Sequence, residues 1–333
     1  MNFNELNFYI LSLIIENISD TKSYAALRQT CQYFYFLMPN VKRFTNGVLT
    51  EQINYYNHQL NGEHICFYDS GKLKSISLYD CGIILTRDIC WEENGRISVH
   101  EMYKKNKKSG KQLYFDLNGY KEKAIEYEND KPHGKEVSFF QSGLIKSIGS
   151  YIRGKKNGME IHFNETGIKI LTKQYQNNFL SGESQIFYDD GTMKQITNFT
   201  LGMKNGLTKF FDQNGNLKLE LNYKNNLKHG KLREWKFQNG MIVPSLECYF
   251  KNGILDGQYK KYFNGIIFFE CFYSISVLDG PAVIYNFGQI EFETYFNMGK
   301  IDFYHKQYVN NKICLNVLFN EKKEVVVFNK FGI

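Results

Sequence analysis

Polar and apolar residues alternate with a period of two through most of this chain, and glycines interrupt the alternation at regular steps. Between Lys135 and Phe139, Val137 and Phe139 fall on one side while Glu136 and Ser138 fall on the other. Side chains of a strand point alternately to its two faces, so this pattern predicts strands, with the glycines marking the turns. The pattern then recurs. Every 24 residues there is an aromatic: Tyr55, Tyr79, Tyr103, Tyr127, Tyr151, Tyr175, Phe199 and Tyr223. Twelve residues after each stands a second: Phe67, Trp91, Phe115, Phe139, Phe163, Phe187, Phe211 and Trp235. A fixed period of this size marks a repeat architecture.

Glycine supplies a third column. Gly71, Gly95, Gly119, Gly143, Gly167, Gly191 and Gly215 each close a short, mostly polar turn, and an earlier glycine such as Gly134 or Gly158 follows the first aromatic by seven residues. Turn glycines supply the positive φ that a short hairpin loop demands. Leu73, Ile97, Ile145, Met193 and Leu217 stand two residues after their turns. Two strands per unit follow. After Tyr223 the spacing slips to 27, 23, 23 and 23 at Phe250, Tyr273, Phe296 and Phe319. An extra residue before Gly240, together with Pro244, predicts a bulge in that unit. The short last unit reads as a cap.

The fold class expected is mainly β: an elongated antiparallel β-hairpin repeat array over residues 48–333, of about eleven units of ~24 residues. About 22 strands at about 4.8 Å would extend on the order of 100 Å if the sheet stays open. The pattern leaves open whether it rolls.

Residues 1–45 follow a different period. Leu6, Ile10, Leu13 and Ile14 share one face of a helix, Ser19 and Asp20 offer an N-cap, and Tyr24, Leu27, Cys31 and Phe34 form a second helical stripe that Pro39 ends. A small N-terminal α-helical segment is expected, either capping the sheet or serving a separate task.

Composition narrows the classes. Aromatics make up 16% of the chain and prolines number only 4, which suits strands. The net charge is +7; residues 1–40 carry Glu5, Glu16 and Asp20 against Lys22 and Arg28, so the whole basic excess belongs to the array. Its lysines are spread through turns rather than gathered in a block, which reads as solvation and edge protection before it reads as nucleic-acid binding. An anionic membrane surface is the further reading of such a charge. Seven cysteines without any C-x-x-C, most in strand-like stretches, fit reduced, buried thiols and a cytoplasmic protein. The apolar run Phe8 to Ile15 follows Glu5, is too short to span a bilayer and has no cleavage site, so no targeting segment is expected.

No catalytic constellation emerges, and the chain is read as a non-enzyme without cofactor. His133 and His229 occupy turn positions that other units fill with Asn or Ser. Histidine and cysteine never fall at zinc spacing, so no metal site is expected. Asp189-Asp190-Gly191 lacks the glutamate of a calcium loop, and Gly154 to Gly158 lacks the Lys-Ser or Lys-Thr of a phosphate loop. The unbroken aromatic column reads as core rather than as a stacking platform for bases. One charged column recurs with the repeat: Lys74, Lys146, Lys194 and Lys218. It is the candidate binding face of the array, beside the plainer reading of a solubilising stripe.

Two resemblances follow from these residues. Leu6, Ile10, Leu11, Ile14, Leu27, Cys31 and Phe34 fall where an F-box places its apolar and cysteine positions, although Asn7, Tyr9 and Thr30 depart from the usual proline, glutamate and valine. That resemblance implies docking on the Skp-type adaptor of a cullin–RING ubiquitin ligase, with the repeats holding a client protein. The array, with its aromatic, glycine, alternating strand and Asn-Gly or Asp-Gly turn, resembles the MORN-repeat variant. An F-box-like head on such repeats is similar to proteins of giant DNA viruses, which implies host cytoplasm. The function expected is therefore an adaptor; its rivals are a repeat scaffold with no ligase link and a membrane-surface binder.

Overall fold

The computed structural model describes residues 40–56, 58–91, 94–310, 312–319 and 325–328. The helical stripes up to Pro39 lie outside the described residues, and among the described residues there is no helix. The residues just before Asn46-Gly47, grouped with the head by sequence, form the strand Asn40–Thr45, which pairs with Val48–Tyr56 across that turn.

The chain forms two compact units, one ending at Asn178 and the other beginning at Phe179. Within each, successive strands pair antiparallel with their neighbours in sequence, as in Gly158–Phe163 with Lys169–Gln176, or Met203–Phe211 with Leu217–Lys224. Turns of two kinds alternate along the chain. The first kind has two central residues at positive φ: Lys105 and Asn106 (52° and 60°), Asn129 and Asp130 (50° and 66°), Asn225 and Asn226 (50° and 68°). This is the type I′ hairpin, whose twist matches that of the strands it joins. Asparagine and aspartate tolerate the left-handed region better than other side-chain-bearing residues, which is why they gather here.

The second kind is the loop closed by the glycine column. Gly143 (φ 84°) donates to Phe140 O, and Phe140 donates to Leu144 O. Before each such loop the ladder slips by one residue. Ser138 opposes Ser147 but Phe139 opposes Ile145; Phe187 opposes Met193 and Phe211 opposes Leu217 in the same way. The second aromatic column and the apolar column after the turn are thus cross-strand partners, and a β-bulge sits beside the aromatic in unit after unit. The bulge expected near Pro244 exists, between Glu234 and Trp235, but it belongs to the repeat rather than to the proline.

Consecutive units are stitched through their type I′ turns. Gly154 donates to Pro132 O (2.7 Å), Asn178 to Lys156 O (2.9 Å) and Asn226 to Lys204 O (3.0 Å). The turn's Asn or Asp side chain returns a bond to the same earlier residue: Asn178 Oδ1 accepts from Lys156 N (2.6 Å) and Asn226 Oδ1 from Lys204 N (2.7 Å). His133 and His229 extend this stitching, each accepting at Nδ1 from a turn amide of the following unit, Arg153 N and Asn252 N.

The core differs from the expectation. The second aromatic column is not buried throughout: Phe115 is 2% exposed and sits with Met102, Leu113 and Ala124, while Phe139 only packs against that cluster from its margin. Outside that cluster, buried positions recur on the face of the first aromatic, as cross-strand pairs: Gln112 with Ile125, Ser184 with Thr197, Thr208 with Leu221, Leu232 with Cys248. A pair in mid-strand is covered by neighbours on both sides, whereas a residue beside a bulge and loop has a neighbour missing. Several of these residues are polar, and Gln112 shows how that is sustained. Its side chain accepts from Met102 N and donates to Met102 O, both at 3.0 Å, where the ladder is interrupted between Lys108 and Gly110 and Ser109 N is the backbone partner of Met102 O. Buried polar groups persist only when so satisfied. From Leu221 through Leu232, Cys248 and Cys271 the buried residues are apolar, and burial pushes the Cys248 and Cys271 thiols up to about 11. Cys81, by contrast, is exposed in a positive-φ turn, a departure from the expected buried thiols.

Candidate interaction surface

The lysine column has a structural origin. Cys66 opposes Ser75 and Phe67 opposes Leu73, so Lys74 is the extra residue of its bulge; Lys146, Lys194 and Lys218 occupy the same place in their own ladders. A bulged residue is released from the pairing and its side chain is re-aimed. All four lysines are exposed. Three lie over the ring six residues earlier: Lys74 over Tyr68 (5.6 Å), Lys146 over Phe140 (5.8 Å) and Lys194 over Tyr188 (5.2 Å). At Lys218 that place is taken by Asp212, whose carboxyl is held low first by hydrogen bonds from Asn216 and least by Lys218 itself. The rings are fixed in turn, since Tyr68 donates to Cys90 O (3.0 Å) and Tyr188 to Phe211 O (2.9 Å) in the following unit. A second set lies near the type I′ turns, with Lys156 over Tyr175, Lys204 over Tyr223 and Lys228 over Phe250 at 5.0–5.4 Å. Several repeats thus present an ammonium backed by a ring, a pairing worth about 0.5–1 kcal/mol at exposed sites.

The second unit adds a feature that the sequence reading missed. Its later loops are tight turns, Asn239-Gly240, Asn264-Gly265 and Phe287-Gly288, and apolar residues crown them. Phe237 and Met241 are 61% and 65% exposed, Phe263 is 68% and Phe287 is 94%. Ile266, Phe268, Tyr285 and Phe287 line an open groove of about 390 Å³. In earlier repeats Asx-capped loops stand here, with apolar residues such as Leu117 and Tyr120 exposed in only some of them: Asp116 Oδ1 accepts from Asn118 N and Tyr120 N, and Asp212 Oδ1 from Asn214 N and Asn216 N. The signal was available in Phe263-Asn-Gly-Ile266 and Asn286-Phe-Gly-Gln289, where apolar residues sit at positions that other units fill with polar ones. Contiguous exposed apolar surface of this kind marks an interaction site.

The F-box-like set Leu6, Ile10, Leu11, Ile14, Leu27, Cys31 and Phe34 lies outside the described residues. No described helix is long and apolar enough to cross a membrane. Although histidine and cysteine do not fall at zinc spacing along the chain, Glu51, His64 and Cys66 come together across a hairpin.

With this geometry in hand, known proteins can be compared. Residues 60–80, 180–200 and 204–225 match the MORN repeat variant, which supports a MORN-repeat protein. No curated protein matches the chain. Among solved structures, that of TcdB2-TccC3-Cdc42 is similar over 86% of this chain at 9% identity and a TM-score of 0.19, and a porin-like protein from Bacteroides uniformis over 62% at 7% identity and 0.15. The chain spans 20% of the first of these and 93% of the second.

Proposed function

We propose that this chain is a non-catalytic interaction scaffold whose second unit holds a client protein on the apolar hairpin tips around Phe237, Phe263 and Phe287. The observation that carries the reading is the exposure of those rings at successive turns, with Phe287 94% exposed, where earlier repeats have Asx-capped loops. Aromatic side chains are the usual anchors of protein interfaces, and exposed lysines supply a polar rim. The matches to MORN-type repeats support the scaffold part of the reading.

The F-box-like stripes extend the proposal. If the head docks on a Skp-type adaptor, the array presents its client to a ubiquitin ligase, and the support for this step is the sequence pattern alone. Tagged full-length protein, expressed in cells and recovered with its partners, tests both parts. The scaffold reading expects a partner set that Phe263→Asp with Phe287→Asp removes and that Lys146→Glu leaves in place. Identical partner sets for the double variant and the parent sink it. Loss of a Skp-type adaptor in Leu11→Asp with Ile14→Asp supports the ligase link, and its absence from the parent ends it. Salt-sensitive binding to anionic vesicles, with no protein partner, replaces the client by a membrane surface.

A further inference from the structure

The first hairpin of the described chain holds a cluster that the scaffold reading does not use. Glu51 stands directly opposite Cys66 in the ladder between Val48–Tyr56 and Gln59–Phe67, and His64 lies two residues from Cys66 on the same face. Directly opposed residues hold their Cβ atoms about 4.5–5.5 Å apart, close enough for short side chains to meet. His64 Nε2 is 2.6 Å from Glu51 Oε1 and 3.5 Å from Cys66 Sγ, and one ligand atom from each of the three residues lies within 4.8 Å of the others. All three are half-buried. The surroundings fix two of them. Arg43 binds the other oxygen of Glu51 at 2.7 Å, which turns Oε1 towards the imidazole, and the His64 ring lies 6.1 Å from that of Tyr79.

We propose that Glu51, His64 and Cys66 form a binding site for a divalent transition-metal ion, zinc in the first instance, with water in the fourth position. The donor set carries the choice of ion. A thiolate and an imidazole suit zinc or cobalt and are poor ligands for calcium or magnesium, which take oxygen. Zinc bonds of about 2.0–2.3 Å to O, N and S require the donors to surround one point, which the present spacing nearly does. The Glu51–His64 hydrogen bond must open by about 0.7 Å as the ion enters between them, since tetrahedral ligands at about 2.0 Å stand about 3.3 Å apart. The balance is simple. The Cys66 thiol gives up its proton to solvent, a proton on His64 Nε2 passes to Nδ1 or, from the doubly protonated ring, to solvent, so that neutral imidazole binds, and no other bond breaks. Affinity therefore falls as the pH is lowered. The sequence hid the site because its ligands come from two strands, joined only by the hairpin register.

Cobalt(II) tests it on the full chain, reduced and stripped of metal. Binding should give a thiolate-to-cobalt charge-transfer band, saturate at one equivalent and be displaced by zinc. Cys66→Ser should abolish the band, and His64→Gln and Glu51→Gln should each weaken binding at least about tenfold. In parallel, zinc should raise the melting temperature of the parent but not of Cys66→Ser. If Cys66→Ser does not fold, His64→Gln carries the same test. No charge-transfer band in the parent overturns the proposal; so does a band that survives in Cys66→Ser, because another thiol among the seven would then be the ligand, and so does an affinity left unchanged by His64→Gln.

Discussion

Asp130 grips the backbone of Lys108 at two points: its own amide donates to Lys108 O at 3.0 Å, and its Oδ1 accepts from Lys108 N at 2.7 Å. The two residues belong to successive hairpins, 22 positions apart. Strand pairing alone would leave one turn indifferent to the next; this double bond fixes the spacing between them.

Asp130→Ala removes the side-chain half of the grip and places alanine at a φ of 66°. The expected cost is about 1–2 kcal/mol, read as a lower urea midpoint. Asp130→Asn should restore most of it, because Asn106, Asn178 and Asn226 make the equivalent bond to Ile84, Lys156 and Lys204. Equal midpoints for the alanine and asparagine variants would show that the side-chain bond contributes nothing.

The two glycine columns should respond differently to alanine. Gly143 has a φ of 84° and open space where a Cβ would stand, so Gly143→Ala carries backbone strain alone, about 1 kcal/mol. At Gly134 a Cβ would stand 3.1 Å from Glu126 Cβ and collide with its carboxylate, which accepts from Lys135 N at 2.7 Å. Gly134→Ala should cost more, about 2–3 kcal/mol. Denaturant titration of the pair checks the order, and a larger loss at Gly143 contradicts it.

Phe115 and Phe139 hold the same place in adjoining units, but Phe115 is enclosed and Phe139 is at the margin, beneath the Lys121 ammonium. Phe115→Ala should cost about 3–5 kcal/mol and Phe139→Ala about 1–3. Equal destabilisation would mean that the column is one continuous core after all.

Glu160 is buried, with its carboxylate bonded to Lys156 and 3.3 Å from His162 Nε2. The His162 contact leads, with Lys156 behind it, in holding the carboxyl down to about 2 against the opposing effect of burial. In the unfolded chain the group titrates near 4.5. A depressed native value stabilises the fold above the unfolded value, and the contribution is lost as the pH falls from about 4.5 through about 2. Acid unfolding should show a loss of about 1–3 kcal/mol over that window. Glu160→Gln should flatten it, and an unchanged acid limb would assign the loss to other carboxylates.

Much of the fold was legible because a hairpin repeat is made by local chemistry. The 24-residue lattice, the strands and the positive-φ glycines at Gly71 through Gly215 follow from side-chain alternation and from what glycine alone tolerates, and each is present in the structure. Other features needed the register. That Lys74, Lys146, Lys194 and Lys218 are bulge residues appears only when the facing strand is counted against them. Burial followed suit: two aromatics with the same sequence position, Phe115 and Phe139, differ because depth depends on which neighbours cover a residue. The exposed tips at Phe263 and Phe287 and the meeting of Glu51 with His64 and Cys66 belong to the same class. Periodicity determines which residues make strands and turns, since those choices are settled within a few residues. Which side chains meet across the strands is decided by pairing, and a shift of one residue changes every partner.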